Sequence, residues 1–112
     1  LRLAPGASVA LYLRASNHSD PFLAITYDGT TLTMGETATP LALAAGEALR
    51  LRLFVDRSVS ELYVNDGVVA ITLVQPMPSK LIDVEIDPQG GSVELLTFTA
   101  WELSDAIPTP WA

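Results

Sequence analysis

Residues 49–73 read Leu49-Arg50-Leu51-Arg52-Leu53-Phe54-Val55-Asp56-Arg57-Ser58-Val59-Ser60-Glu61-Leu62-Tyr63-Val64-Asn65-Asp66-Gly67-Val68-Val69-Ala70-Ile71-Thr72-Leu73. Three runs alternate apolar and polar residues, divided by two turn signals. Successive side chains of a strand point to opposite faces, so Leu49, Leu51, Leu53 and Val55 share one face and Arg50, Arg52 and Phe54 the other. Asp56-Arg57-Ser58 interrupts the pattern with residues that bond their own downstream backbone and so start turns. In the second run Ser60, Leu62 and Val64 lie opposite Glu61, Tyr63 and Asn65. Asn65-Asp66-Gly67 then supplies the strongest short hairpin signal, because glycine accepts a positive φ. A two-residue loop at Asp66-Gly67 pairs Asn65 with Val68, Val64 with Val69 and Leu62 with Ile71. A slip of one residue would turn the apolar set to the wrong face. The stretch is predicted to be a three-stranded meander with one apolar face.

The flanks continue the theme. Residues 1–3 are a short strand stopped by Pro5-Gly6. Residues 9–14 alternate Val9, Leu11 and Leu13 against Ala10, Tyr12 and Arg14. After a polar turn, residues 22–27 form a strand, and Asp28-Gly29 turns it into a strand over 30–34. Residues 35–40 read as a loop and 41–45 as a short apolar strand or bridge. Pro76 and Pro78 exclude a central strand there. Residues 80–87 place Ile82, Val84 and Ile86 inward and Asp83, Glu85 and Asp87 outward. Residues 92–103 are predicted as a last long strand, apolar on both faces and therefore covered on both sides or bulged. The Pro-rich tail 105–112 has no regular pattern. Short strands at regular intervals, with turn signals between them and no amphipathic helix, define an all-β, two-layer antiparallel β-sandwich.

A chain of 112 residues fits one domain, 1–112, with a two-layer core. Leu1 stands where an initiator methionine would, so the chain is expected to be a fragment of a longer polypeptide. No apolar run is long enough to span a bilayer as a helix. Cysteine is absent, which removes disulfides, thiolate metal sites and a Cys nucleophile. Thirteen acidic against six basic residues give a formal charge of −7, the wrong sign for nucleic acid or an anionic membrane. No residue assigns a compartment; the cytoplasm is only marginally favoured. Hydrophobic residues make up 49 % and mean hydropathy is +0.34, which suits a strand-rich core or a face that lies against another body.

Residues 51–67, with Phe54-Val55-Asp56-Arg57-Ser58, then Glu61, the aromatic Tyr63 and Asn65-Asp66-Gly67, resemble the signature of the C-terminal β-sandwich module of glycoside hydrolase family 32. That family comprises invertases, levanases, inulinases and sucrose-6-phosphate hydrolases. Ile25-Thr26-Tyr27-Asp28 and Trp101-Glu102-Leu103 echo it more weakly. Thr33-Met34-Gly35-Glu36 departs from it, where relatives often carry an Asp-Arg pair. The resemblance implies a lectin-like (concanavalin-like) jelly roll and a β-fructofuranosidase parent. The chemistry would reside in an N-terminal β-propeller of the same parent chain, and this module would brace it. The signature positions Arg52, Asp56, Arg57, Glu61, Asn65 and Gly67 would then be structural.

A retaining glycosidase needs two carboxyl groups about 5 Å apart. The family's catalytic motifs are absent: Ser19-Asp20-Pro21 and Ile86-Asp87-Pro88 lack the preceding Arg, and Asn65-Asp66-Gly67 lacks the Pro-Asn. No catalytic residue, cofactor or metal ligand is assigned. Glu61 is expected to pair with Arg52, opposite or diagonal across the sheet. His18, the only histidine, lies in a polar turn far from Asp56 and Ser58, against a Ser/His/Asp triad. Asp83, Glu85 and Asp87 form an acidic stripe too widely spaced to hold one cation alone. Exposed aromatics stack on sugar rings, and Tyr12, Tyr63, Trp101 and Trp111 are the candidates. Trp101 is expected in the core, leaving Tyr63 and Trp111 for a fructan-binding role. Self-association through an exposed apolar face is the remaining alternative.

Overall fold

The computed structural model describes residues 1–15, 23–44, 46–55, 59–75 and 81–99. Ten strands run through the described residues: β1 (Arg2–Leu3), β2 (Ser8–Ala15), β3 (Leu23–Tyr27), β4 (Thr31–Met34), β5 (Thr37–Pro40), β6 (Leu51–Val55), β7 (Val59–Val64), β8 (Val69–Val74), β9 (Leu81–Gln89) and β10 (Val93–Glu94). They build a five-stranded sheet in the order β5-β4-β3-β2-β9, a three-stranded sheet β6-β7-β8 and the ribbon β1-β10. Every pairing is antiparallel.

The two larger sheets bury their alternating faces against each other, as the period-two pattern requires. Val9, Leu13, Leu23, Ile25, Tyr27, Leu32 and Met34 come from the five-stranded sheet. Leu62, Val64 and Ile71 come from the meander, and all belong to one core cluster with Leu41 and Leu49. The hairpin β4–β5 turns at Gly35-Glu36, with Gly35 at φ 61°. A Cβ on Gly35 would sit 3.2 Å from Leu73 Cδ1, so the missing side chain lets this hairpin tip meet the opposite sheet. Tyr27 is buried, and its hydroxyl donates to the carbonyl of Leu41 (2.8 Å) or of Gly29 (3.0 Å).

The meander forms in the predicted register: Val64 pairs with Val69 and Leu62 with Ile71. Its turn lies one residue earlier than expected. Asn65 and Asp66 carry φ of 47° and 61°, and Gly67 N donates to Val64 O at 3.1 Å. These are the φ signs and the bond of a type I′ turn, with Gly67 following as a third left-handed residue. Residues 35–40 are not a loop, because β5 pairs with β4 from Met34↔Thr37 to Thr31↔Pro40. Gly35 at the first central position makes that tight turn possible, and an edge strand tolerates Pro40. Residues 41–44 are not a strand. The long last strand is also not formed over the described residues: β10 ends at Glu94 because its partner β1 starts at Arg2. Positions 100–103 of that expected strand lie outside the described residues.

Ser60 is fully buried, and among the described residues its Oγ has no hydrogen-bond partner. A buried hydroxyl without a partner costs about 1–3 kcal/mol. Ser60→Ala should therefore raise the unfolding free energy by about 1 kcal/mol. Chemical denaturation reads this directly, and a loss of stability would show that the hydroxyl has a partner.

Candidate functional site

The outer face of the meander carries the sequence signature. Opposite pairs are Arg52↔Tyr63 and Phe54↔Glu61. Phe54 and Tyr63 therefore sit diagonally, with ring centroids 6.0 Å apart at 78°, an edge-to-face pair. They are 51 % and 37 % exposed, so the pair forms an aromatic ledge open to solvent. Tyr63 Oη donates to Glu61 Oε2 at 3.2 Å. That bond, and the nearby Glu61 charge, push the Tyr63 phenol above its ordinary pKa. Arg52 is diagonal to Glu61 as expected, but the expected ion pair does not form, and among the described residues Arg52 makes none. Tyr63, two residues along the same strand face, takes the Glu61 carboxylate instead.

Asn65 does not face outward with Glu61 and Tyr63. Its left-handed backbone turns the side chain inward, where it is 5 % exposed. There Oδ1 accepts from Arg50 N (2.7 Å), Nδ2 donates to Ala48 O (3.1 Å), and Asn65 N donates to Arg50 O (2.8 Å). The hairpin turn is thereby stapled to the segment that leads into β6. Arg50 also meets Asp66 at 2.9 Å, an exposed pair worth little in water. The signal missed in the sequence was Asn before Asp-Gly, since asparagine enters the left-handed region more readily than other side chains. Gly67 closes this turn. Asp56, Arg57, His18, Trp101 and Trp111 lie outside the described residues.

The outer face of the five-stranded sheet holds a shallow depression of about 270 Å³, lined by Ser8, Ala10, Tyr12, Asp28, Thr33 and Gln89 among others. Asp28 is committed to its own turn: Oδ1 accepts from Thr30 N (2.8 Å), Thr30 Oγ1 (3.0 Å) and Thr31 N (2.7 Å). The Thr30 and Thr31 amides hold its carboxyl below the ordinary Asp pKa. A depressed carboxyl pKa contributes stability above the unfolded-state value of about 3.9 and loses it as pH falls through the folded-state value. The melting-temperature advantage of the native chain over Asp28→Asn should therefore shrink as pH drops from about 5 towards 2. A constant difference would show that the turn does not need the charge.

Along β9 the acidic stripe lies beside β2, where Arg14 opposes Asp83, Tyr12 opposes Glu85 and Ala10 opposes Asp87. Arg14 reaches Glu85 at 3.4 Å and lies 5.4 Å from the centre of the Tyr12 ring. Gln89 Nε2 donates to Asp87 Oδ2 at 3.2 Å. Within the stripe Glu85 is thus paired with a cation of the neighbouring strand, and Asp87 is bonded along its own strand.

Two antiparallel sheets packed face to face, with a signature hairpin stapled at one end, define a β-sandwich module. Residues 5–102 match the family model described as glycosyl hydrolases family 32, C terminal, and the chain belongs to that family. Comparison with curated proteins and with solved structures gave no match.

Proposed function

We propose that residues 1–112 act as one non-catalytic C-terminal sandwich domain of a β-fructosidase, an enzyme that cleaves terminal fructosyl bonds in sucrose or fructans. Its catalytic propeller would precede it in the same polypeptide, and the module would brace that propeller through apolar contact. The observation that carries this reading is the uncovered aromatic ledge on the signature hairpins. Phe54 and Tyr63 are held in a fixed edge-to-face geometry, and both rings are open to solvent. Such a surface suits burial against a second body. The Asn65 staple supports a structural role for the signature: its side chain is buried and consumed by backbone bonds.

The same ledge favours one second reading, because an aromatic ring beside a carboxylate also suits a sugar, with Tyr63 as the stacking ring and Glu61 as the acceptor. One experiment separates the two. The purified chain is incubated with sucrose and with levan, assayed for free fructose, and titrated with both by calorimetry at millimolar sugar. Bracing alone gives neither fructose nor heat. Heat that disappears in Tyr63→Ala would transfer the ledge to sugar binding. Sustained fructose release would overturn the non-catalytic assignment.

A further inference from the structure

Two hydrogen-bond ladders converge on Leu1 from opposite sides. On one side Leu1 and Leu49 exchange both backbone bonds, Leu49 N to Leu1 O at 2.6 Å and Leu1 N to Leu49 O at 2.8 Å, the mark of an antiparallel hydrogen-bonded pair. On the other side Arg2 opposes Glu94, Leu3 opposes Val93, and Ala4 N donates to Ser92 O at 2.9 Å. Beyond Leu1 both ladders stop. Among the described residues nothing pairs with the second edge of β6, and residues 95–99 pair with no strand. Uncovered large apolar side chains lie along both of these edges, Phe54 and Val55 on β6 and Leu95, Leu96 and Phe98 after β10, the last 56 % exposed; Tyr63, Val68 and Val74 are exposed elsewhere on the β7–β8 hairpin.

We propose that the residues directly upstream of Leu1 in the parent polypeptide continue β1 as a full strand inserted between β6 and the 95–99 segment. The inserted strand joins β10, β1, β6, β7 and β8 into one five-stranded sheet facing the sheet already complete. The inference rests on the reading that a catalytic domain precedes this module. The two registers agree on the geometry. Counting back from the Leu1–Leu49 pair, the residues two and four before Leu1 oppose Leu51 and Leu53. Counting back from Arg2–Glu94, the residues one and three before Leu1 oppose Leu96 and Phe98. Leu1, Leu3, Leu51, Leu53 and Val93 already pack against the core, so the upstream positions two and four before Leu1 share that face and should be apolar. An exposed edge of unpaired amides flanked by apolar side chains is the feature that soluble proteins cover.

Amide hydrogen exchange tests the insertion. Bonding alternates along an antiparallel strand, so the amides of Leu51, Leu53 and Val55 face the open edge of β6, whereas those of Arg52 and Phe54 face β7. Leu96 and Phe98 face the line of β1. In the parent polypeptide the amides of Leu51, Leu53, Leu96 and Phe98 should exchange at least about tenfold more slowly than in the 112-residue chain. Arg52 and Phe54 should change little. Proline placed two residues before Leu1 in the parent removes the N–H that would bond Leu51 and should restore fast exchange beside it, even if the short chain folds poorly. Equal rates in the two chains, with Leu62 protected in both, would overturn the proposal. So would protection of Leu51 and Leu53 that appears in the short chain and rises with concentration, because a second copy would then fill the edge. An upstream reading frame without a glycosidase domain would sink the functional reading while leaving the exchange test intact.

Discussion

Leu62→Ala should lower the unfolding free energy by about 3–5 kcal/mol, the range for a buried leucine whose surroundings cannot collapse into the gap. Leu62 is fully buried on the central strand of the meander, opposite Leu53 on one side and Ile71 on the other. It faces the five-stranded sheet, so both layers lose contacts with it. Domains of this size are stable by about 5–15 kcal/mol, and the substitution removes a large share of that. With an m-value of about 1–2 kcal/mol per molar urea, the midpoint should fall by roughly 2 M or more. Thr72→Ala, on the opposite exposed face of β8, should stay within about 0.5 kcal/mol. Equal, small effects at the two positions would show that the meander does not bury its face against the second sheet.

Asn65→Ala should cost about 3 kcal/mol through a different cause. The amide of Arg50 and the carbonyl of Ala48 lose their partners, each loss costing about 1–3 kcal/mol if the site stays dry. Alanine also enters the left-handed region at about 1–2 kcal/mol. Two further variants separate these causes. Asn65→Gly relieves the backbone cost and keeps the lost bonds, so it should recover about 1 kcal/mol. Asn65→Asp keeps an acceptor for Arg50 N–H and loses the donor to Ala48, so it should fall between asparagine and alanine. If all three variants match the native midpoint in urea, the staple contributes nothing and the signature asparagine needs another explanation.

The sandwich was legible in the sequence wherever one face of a strand is buried. Val9, Leu11 and Leu13 on β2 alternate with Ala10, Tyr12 and Arg14, and Leu62 and Val64 on β7 with Glu61 and Tyr63; that alternation indicates the faces of both strands and, with Asp66-Gly67, the register of β7 on β8. Legibility failed where backbone conformation or the partner strand decides. Gly35-Glu36 carries no Asn-Gly or Asp-Gly signature, so the pattern predicts a loop where β5 stands, although Gly35 alone supplies the positive φ that the turn needs. Asn65 kept the strand's alternation on paper, but its left-handed φ ended that alternation one residue early. The expected Arg52–Glu61 pair failed on competition: Tyr63 lies nearer along the same strand face, and an exposed ion pair gains too little to hold two long side chains in place. Residues 95–98 have the composition of a strand, yet composition alone provides no partner.

The candidate site was legible only as a signature. The period-two pattern places Tyr63 and Glu61 on one outer face, as the structure has them, but assigns Glu61 to Arg52. Neither the edge-to-face contact with Phe54 nor the Tyr63–Glu61 bond follows from the spacing. The ring contact depends on the diagonal offset that the β6–β7 register sets, and the bond on the side-chain conformations of two residues that share one face of β7.

The bracing role is tested most directly by thermal inactivation of the parent enzyme with and without residues 1–112. Fructose release from sucrose is followed after heating each form for increasing times. A brace requires that the shortened enzyme lose activity much faster at a given temperature, and that Phe54→Ala and Tyr63→Ala in the intact enzyme move part of the way towards it. Inactivation at the same rate with the module removed would contradict a bracing role outright.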